Sequence, residues 1–435
     1  MKQLTNNLFK IFFGLTVFLI PWQTRWIFFD QNLAGSIWEY GRVSLYASML
    51  TLVLALVFFY WQQHKKVNFR KIFDSSRNKI LILTIFYFWL VNLFSPIPQI
   101  AIYYLALILL AIIWLALSHR VSLKLIYGSL LASGAVQGCL AIWQTMQQRV
   151  LSNKWFGIAE HLPEIPGTSV VEYGLNRVLR AYGSLPHPNI LGGFLVIASL
   201  AGLWWWAHIY EQAKKDNWSG PNIKRYLGQL FLVVAGLVVV VMGLLLTFSR
   251  SALVALLLII IISLFIALWK QAWLKTQVLF KFLIITGLLF LGSQLLFPGA
   301  WTARWQIEQR LEVQSVTQRV SSWQQIHWQG PKAFLFGQGL GMNTYVNLEA
   351  DQPAYDSQPI HNIFLLAFAE VGLIGILLLL NLLRLFRPKK IGEQWPALLI
   401  AILVLGSLDH YLWTSWTGWL LLAIILASFR EKLLK

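Results

Sequence analysis

The chain has 435 residues, 57% of them hydrophobic and only 12% charged, with a mean hydropathy of +0.62. No ordinary soluble core can hide that much apolar surface, so the composition excludes a water-soluble domain and requires a polytopic membrane protein. The net charge of +18 is spread in short runs between apolar segments, which tracks membrane topology and argues against a nucleic-acid partner.

Peptide groups inside a bilayer have no water to bond, so spans must be helices or a closed barrel. Long Leu, Ile and Val runs without period-two alternation exclude the barrel, and an all-α fold is expected. Windows of about 20 residues pick out apolar segments at 8–22, 43–61, 80–96, 99–117, 122–143, 189–210, 227–248, 251–269, 282–298, 361–383, 396–413 and 415–429, which predicts about twelve transmembrane helices. Lys2 and Lys10 lead into the first, as in a signal peptide. Pro21-Trp22 stands where a small-residue cleavage site would be, so the segment reads as an uncleaved span. The single cysteine, Cys139, lies in an apolar run; it excludes internal disulfides and multi-cysteine metal sites and reads as a small buried residue.

The intervals between segments alternate in character. One set is short and basic: Lys65, Lys66, Arg70, Lys71, Arg77 and Lys79; Arg120 and Lys124; Lys214, Lys215, Lys224 and Arg225; Lys270, Lys275 and Lys281; Arg384, Arg387, Lys389 and Lys390. With both termini, this set holds 24 of the 35 lysines and arginines, while the other holds 11, balanced by 10 of the 17 acids. The positive-inside rule then places both termini in the cytoplasm and the intervals 144–188, 249–250 and 299–360 outside. Trp22, Trp61, Trp204 to Trp206, Trp301 and Trp413 fall at span ends, as an interfacial aromatic belt requires. No repeat or appended soluble domain is visible, so residues 1–435 read as one membrane domain, with a first outer loop at 144–188 and a large, partly helical one at 299–360. In the latter, Val313, Val316, Val320 and Trp323 recur at helical spacing. This predicts an amphipathic helix over 301–328 on the outer membrane surface, stopped by Gly337, Gly339 and Gly341, which read as turn-formers.

Four constellations could carry chemistry, and all fall on the outer side. The first is Arg177, Arg180, Gly183 and Pro186-His187-Pro188-Asn189, with Asn189 a candidate N-cap. The second is the turn Ser249-Arg250-Ser251, where an arginine sits on the disfavoured side with no acid in the turn. The third is Arg319 with Trp323 one helical turn on, and the fourth is His361-Asn362 opening a span that runs through Glu370, Gly372 and Gly375. Asn189, Arg250 and His361 each begin a span running inward, so three helix N-termini, with their positive dipole ends, meet Arg180, Arg250 and Arg319. Such an electropositive pocket at the headgroup level suits a phosphate or diphosphate on an apolar tail. A helix N-terminus disfavours imidazolium, so His361 is expected neutral and able to take a proton from a hydroxyl. Against these stand blander roles: Arg250 as a snorkelling anchor, His361 as a structural hydrogen-bonder or cap, Trp323 as packing. Glu370 and Asp409-His410 rank second, as ionisable groups in apolar runs, and His187 ranks below them. No paired carboxylates, metal-ligand spacing or phosphate-cradling Gly-Lys-Ser loop occurs, so no metal or cofactor is expected.

Taken together, these residues resemble the O-antigen ligase and polymerase superfamily of bacterial envelope enzymes. The resemblance rests on Arg180-Ala-Tyr-Gly183 with Pro188-Asn189, the Thr247-Phe-Ser249-Arg250-Ser251 turn, Gln318-Arg319 with Trp323, Phe336-Gly337-Gln-Gly339-Leu-Gly341, and His361-Asn362 followed by Gly372 and Gly375. It spans residues 177–375. It implies a multi-pass protein of the bacterial cytoplasmic (inner) membrane that takes a glycan from an undecaprenyl-diphosphate-linked donor and joins it to a glycan, lipid or protein acceptor on the outer face, as in lipopolysaccharide and other polysaccharide biosynthesis. By position, Arg250 and Arg319 would hold the diphosphate, and His361 would either activate the acceptor hydroxyl or support the site. Arg180, Arg177, Asn189, Asn362 and Trp323 would assist binding. A transporter of bicarbonate or of a lipid-linked sugar is the rival, but its charged residues should sit near the bilayer midplane, whereas these crowd one rim.

Overall fold

Proline and small polar residues set where the apolar runs become helices. Pro98, Pro188, Pro298 and Pro331 each occupy the first turn of a helix, where a missing N–H costs nothing, and the Ser122 side chain caps another by accepting from the Leu125 N–H. The computed structural model describes residues 2–63, 76–218, 222–306, 310–324, 330–348, 357–385 and 395–429. In chain order these hold α1 (Lys2–Phe18), β1 (Arg25–Leu33), β2 (Ser36–Tyr46), α2 (Ala47–Gln63), α3 (Ser76–Leu93), α4 (Pro98–Ser118), α5 (Leu123–Gln147), β3 (Val170–Tyr173) and β4 (Asn176–Leu179). The second half holds α6 (Pro188–Lys215), α7 (Ile223–Leu246), α8 (Arg250–Trp269), α9 (Trp273–Leu296), α10 (Pro298–Trp305), α11 (Arg310–Gln324), α12 (Pro331–Phe336), α13 (Asn343–Val346), α14 (Ile363–Leu385), α15 (Trp395–Leu408), α16 (Tyr411–Thr414) and α17 (Trp416–Ser428).

Each of the twelve apolar segments overlaps a helix. Seven of these, α4 to α9 and α14, are long and apolar enough to cross a membrane, and others, such as α15 and α17, are shorter. The chain is thus a mainly helical, multi-pass membrane protein. Of the basic residues used to orient it, Lys65, Lys66, Arg70, Lys71, Arg387, Lys389 and Lys390 lie outside the described residues. Cys139 faces outward from α5, so the expectation of a buried thiol is corrected.

The centre is α6, whose apolar stretch is 78% buried, against 22% for α9 at the rim. Small residues bring α5, α6 and α7 together. A Cβ on Gly138 would fall 2.5 Å from the Val239 carbonyl, and one on Gly134 would fall 2.6 Å from Ala198. With no hydrophobic force between helices in lipid, such close backbone approach supplies the packing.

Two short antiparallel hairpins accompany the helices of this mainly α fold. β1 and β2 are joined by Ala34-Gly35, both at positive φ, and β3 and β4 by a two-residue turn starting at Gly174, also at positive φ. Of the helix expected over 301–328, residues 301–305 belong to α10 and 310–324 form α11, while 307–309 and 325–328 lie outside the described residues. On α11, Val313, Val316, Val320 and Trp323 form an exposed apolar stripe, as its periodicity demands.

The glycine string has a partner. At Gly372 (φ 66°) α14 breaks, and the carbonyls of Ala369 and Glu370 at the break accept from the N–H groups of Gln338 (3.0 Å) and Gly339 (2.9 Å). The Glu370 carboxylate, buried in the same helix, accepts from Trp413 Nε1 at 2.8 Å. Gly337, Gly339 and Gly341 all have positive φ, as turn-formers should.

A methyl at Gly337 would lie 2.2 Å from the Glu370 carbonyl at φ +79°. We therefore expect Gly337→Ala to destabilise the protein by at least the roughly 1–3 kcal/mol of backbone strain, seen as a lower unfolding temperature in detergent. Gly228→Ala, where nothing lies within 4 Å of the added methyl, should be neutral or gain about 0.5–1 kcal/mol within α7. Equal responses of the two variants would contradict this packing.

Candidate functional site

The segment before α6 is set by α5. Gln144 Oε1 accepts from the N–H groups of Tyr182 (3.0 Å) and Gly183 (2.8 Å), its Nε2 donates to the Gly183 carbonyl, and Gln137 Oε1 accepts from Ser184 N–H. Seven residues apart on one helix face, these two glutamines satisfy a buried loop that would otherwise carry orphaned peptide groups. Gly183 has φ 59°, and a Cβ there would strike Gln137 Oε1.

That loop delivers Arg180 to the end of α7. The Ala181 N–H donates to the Leu246 carbonyl at 3.0 Å, and Arg180 Nε to the Thr247 carbonyl at 2.8 Å. From α10, buried Arg304 donates Nε and Nη2 to the Phe248 carbonyl at 2.9 and 2.7 Å. Two guanidiniums thus meet the negative end of α7 and hold the turn in which Phe248 adopts φ 48°. This turn launches α8 at Arg250.

Arg180 Nη2 also donates to Asn189 Oδ1 (2.7 Å), and Asn189 Nδ2 donates to Asp409 Oδ2 (3.2 Å). The expectation that Asn189 caps α6 is corrected. His187 is the cap, its Nδ1 accepting from the Asn189 N–H at 3.1 Å, which frees the Asn189 amide to bridge Arg180 and Asp409. Asn362, by contrast, is a cap: its Oδ1 accepts from Phe364 and Leu365 N–H at the head of α14.

Asp409 follows α15 and is buried, with Oδ1 accepting from the His410 N–H at 2.8 Å. Burial works against its charge, but the imidazoles of His410, His361 and His187, which become cationic as the pH falls, and that N–H outweigh it, holding the carboxyl below its usual range. Burial pulls all three imidazoles down. His410 falls to about 4, and at His187 the Arg180 guanidinium adds to the effect. At His361 Arg319 lowers it further, while Asp409 and the Pro359 carbonyl work the other way. The cluster at neutral pH is therefore a carboxylate among neutral imidazoles.

The rings of His361 and His410 meet edge to face at 5.1 Å, and Tyr40 of β2 lies edge-on to His410 at 5.9 Å. His410 Nδ1 is 2.8 Å from Thr414 Oγ1, whereas His361 Nδ1 is buried with no hydrogen-bond partner among the described residues. The His361 N–H donates to Ser322 Oγ (3.2 Å), which donates to the Arg319 carbonyl, and Arg319 Nε donates to the Leu408 carbonyl beside Asp409. α11 is thereby tied to the same cluster.

The fold thus brings Arg180, Asn189, Arg319 and His361 together around Asp409. Arg250 heads α8, whose first turn packs on α6 at Gly192: a Cβ there would fall 2.8 Å from Ala252 and 3.1 Å from Ser249. Arg177 is placed elsewhere, on β4 with its Nε 3.4 Å from Glu172, a carboxylate that Arg310 also grips. Trp323 is 39% exposed on the apolar stripe of α11. Sequence reasoning undervalued Asp409, His410 and His187 and missed Tyr40 and Ser322, because only the tertiary fold puts them beside His361.

Residues 235–380 match the O-antigen ligase family model, so the resemblance read from the motifs is supported over that stretch. No curated protein matches the chain. The matched stretch contains Arg250, Arg319, His361 and Asn362, while Arg180, Asn189 and Asp409 join from outside it.

Since Arg180 is a buried tie, Arg180→Ala should cost about 3 kcal/mol through loss of charge-assisted bonds and exposure of their partners, while Trp323→Ala on the exposed stripe should stay within about 1 kcal/mol. Denaturant unfolding in detergent checks both; a stable Arg180→Ala would remove the latch.

Proposed function

We propose that this protein is a membrane glycosyltransferase that moves a glycan from an undecaprenyl-diphosphate carrier to an acceptor hydroxyl on the outer face of the bacterial cytoplasmic membrane. In this reading all twelve apolar helices span, with both termini cytoplasmic. The observation that carries it is a neutral imidazole, His361, set between a buried carboxylate and cationic side chains at the joint head of α6 and α14.

The acceptor hydroxyl gives its proton to His361 as its oxygen attacks the anomeric carbon. The bond from that carbon to the diphosphate breaks, and the lipid diphosphate leaves with the bonding pair. Arg250 and Arg319 would hold this leaving group, and their charge would matter most as its own develops. The imidazolium so formed gains from Asp409, whose carboxylate is already charged. Asn362 and Asn189 act indirectly, one capping α14 and the other orienting Asp409. The exposed stripe ending at Trp323 gives the polyprenyl chain an apolar approach at the headgroup level.

The direct test incubates purified protein with lipid-linked oligosaccharide and candidate hydroxyl acceptors; ligated or polymerised product supports the reading, and none with any acceptor ends it. In that assay His361→Ala should lower turnover by about 10²-fold or more with donor binding nearly unchanged. Arg250→Ala and Arg319→Ala should weaken donor binding about tenfold. Arg384→Ala, at the other end of α14, should do neither.

The pH profile has a definite sign. His361 must be neutral to accept a proton, and its folded pKa lies below the ordinary 6.5. The midpoint of the acidic limb of turnover should therefore lie below pH 6.5, where the imidazole becomes protonated. An acidic limb centred above pH 6.5 would rule His361 out as the base.

A further inference from the structure

At the other end of α6, far from His187, a cleft of about 290 Å³ opens between α6, α8 and α9. Its walls are apolar, formed by Leu203, Ala207, Ile266 and Leu279, while its mouth carries Lys270 and Lys275. Glu211 stands 4.0 Å from Lys275 and offsets part of that charge, but Lys124 and Lys215 add to it, both close enough to act on His208 in the cleft wall. The α8–α9 turn that forms the lip exposes Trp269 (77%) and Trp273 (66%) on either side of Lys270. Tryptophans so exposed in a membrane protein mark the headgroup level.

Among the described residues the mouth is net cationic, and an apolar slot opening at that level beneath it has one natural occupant. We infer that this cleft binds a single anionic phospholipid, an acyl chain between α6, α8 and α9 and the phosphate on Lys270 and Lys275. Basic pockets between membrane helices recognise lipid headgroups in this way. A free phosphate would make no use of the walls, and a zwitterionic lipid would gain less from the mouth. The cleft lies at the opposite end of the helix bundle from the histidine cluster, so this inference stands apart from the glycosyl-transfer reading.

The test uses the full-length protein in detergent, with native mass spectrometry following retention of added dioleoyl phosphatidylglycerol, dioleoyl phosphatidylcholine or glycerol 3-phosphate. One phosphatidylglycerol should be held about tenfold more tightly than phosphatidylcholine, and glycerol 3-phosphate should not be retained. Joint Lys270→Gln and Lys275→Gln substitution should erase the preference between the lipids. Ala207→Phe, which fills the slot and leaves the lysines, should weaken retention of both. Equal retention of the two lipids by the native protein, a preference that survives loss of both lysines, or glycerol 3-phosphate held as firmly as the lipid would overturn the site. Should Ala207→Phe fail to fold, the lysine pair at the cleft mouth still decides the matter.

Discussion

The rim where α6, α8, α14 and α15 begin or end depends on keeping one buried carboxylate charged. An isolated carboxylate out of water costs several kcal/mol and would take up a proton instead. Asp409 avoids this through the Asn189 amide and the His410 N–H. The Asn189 amide can present only its NH2 edge to Asp409, because its oxygen faces Arg180. Arg180 in turn is aimed by the Thr247 carbonyl. Carbonyl, guanidinium, amide and carboxylate form one directed chain through three separate stretches of sequence, in which each member fixes the orientation of the next.

The same chain explains why the α7–α8 turn is so short. A helix ending inside a bundle leaves carbonyls with no partner of their own. Here Leu246 is taken by the Ala181 N–H, Thr247 by Arg180 and Phe248 by two nitrogens of Arg304. A bulky residue at positive φ, Phe248, is then held by its surroundings: its carbonyl is gripped from α10 and its ring is packed between Phe297 and Trp301. The outcome is a head of α8 whose position is specified from two other elements, which is what a residue such as Arg250 needs to be presented reproducibly.

The helices were legible because apolar length and the spacing of basic runs depend on local composition alone. So were the glycine turns and the stripe on α11, both short-range patterns. The hairpin that carries Tyr40 was not: Ala34-Gly35 lacks the Asn-Gly or Asp-Gly signal, and the last residues of β2, from 43 on, read as the start of a transmembrane segment. The site divides along the same line. His361, Arg319 and Arg180 announce themselves as polar residues at the ends of apolar runs, whereas Asp409 and His410 sit where a continuous apolar segment was read over 396–413. The break between α15 and α16 that moves them from mid-span to the rim is a tertiary fact. Asn189 misled for a similar reason, since His187 two residues earlier can cap equally well, and only the neighbouring Arg180 and Asp409 decide which side chain does so.

Arg180, expected to assist binding, also ties the protein together, as Arg304 does. The bonds from Arg180 and Arg304 to Thr247, Phe248 and Asn189 end on neutral oxygens. A neutral acceptor fixes a guanidinium in place without cancelling its charge, unlike the pairing of Arg177 and Arg310 with Glu172. These ties are of two kinds, one ending on a carboxylate and one on neutral oxygens. The first kind staples a hairpin to α11. The second kind is immobilised by carbonyl and amide oxygens, and a cation fixed in advance needs no rearrangement when charge develops nearby. The buried ties at the end of α7 are thus one arrangement with the head of α8: Arg180 and Arg304 fix the turn from which Arg250 starts.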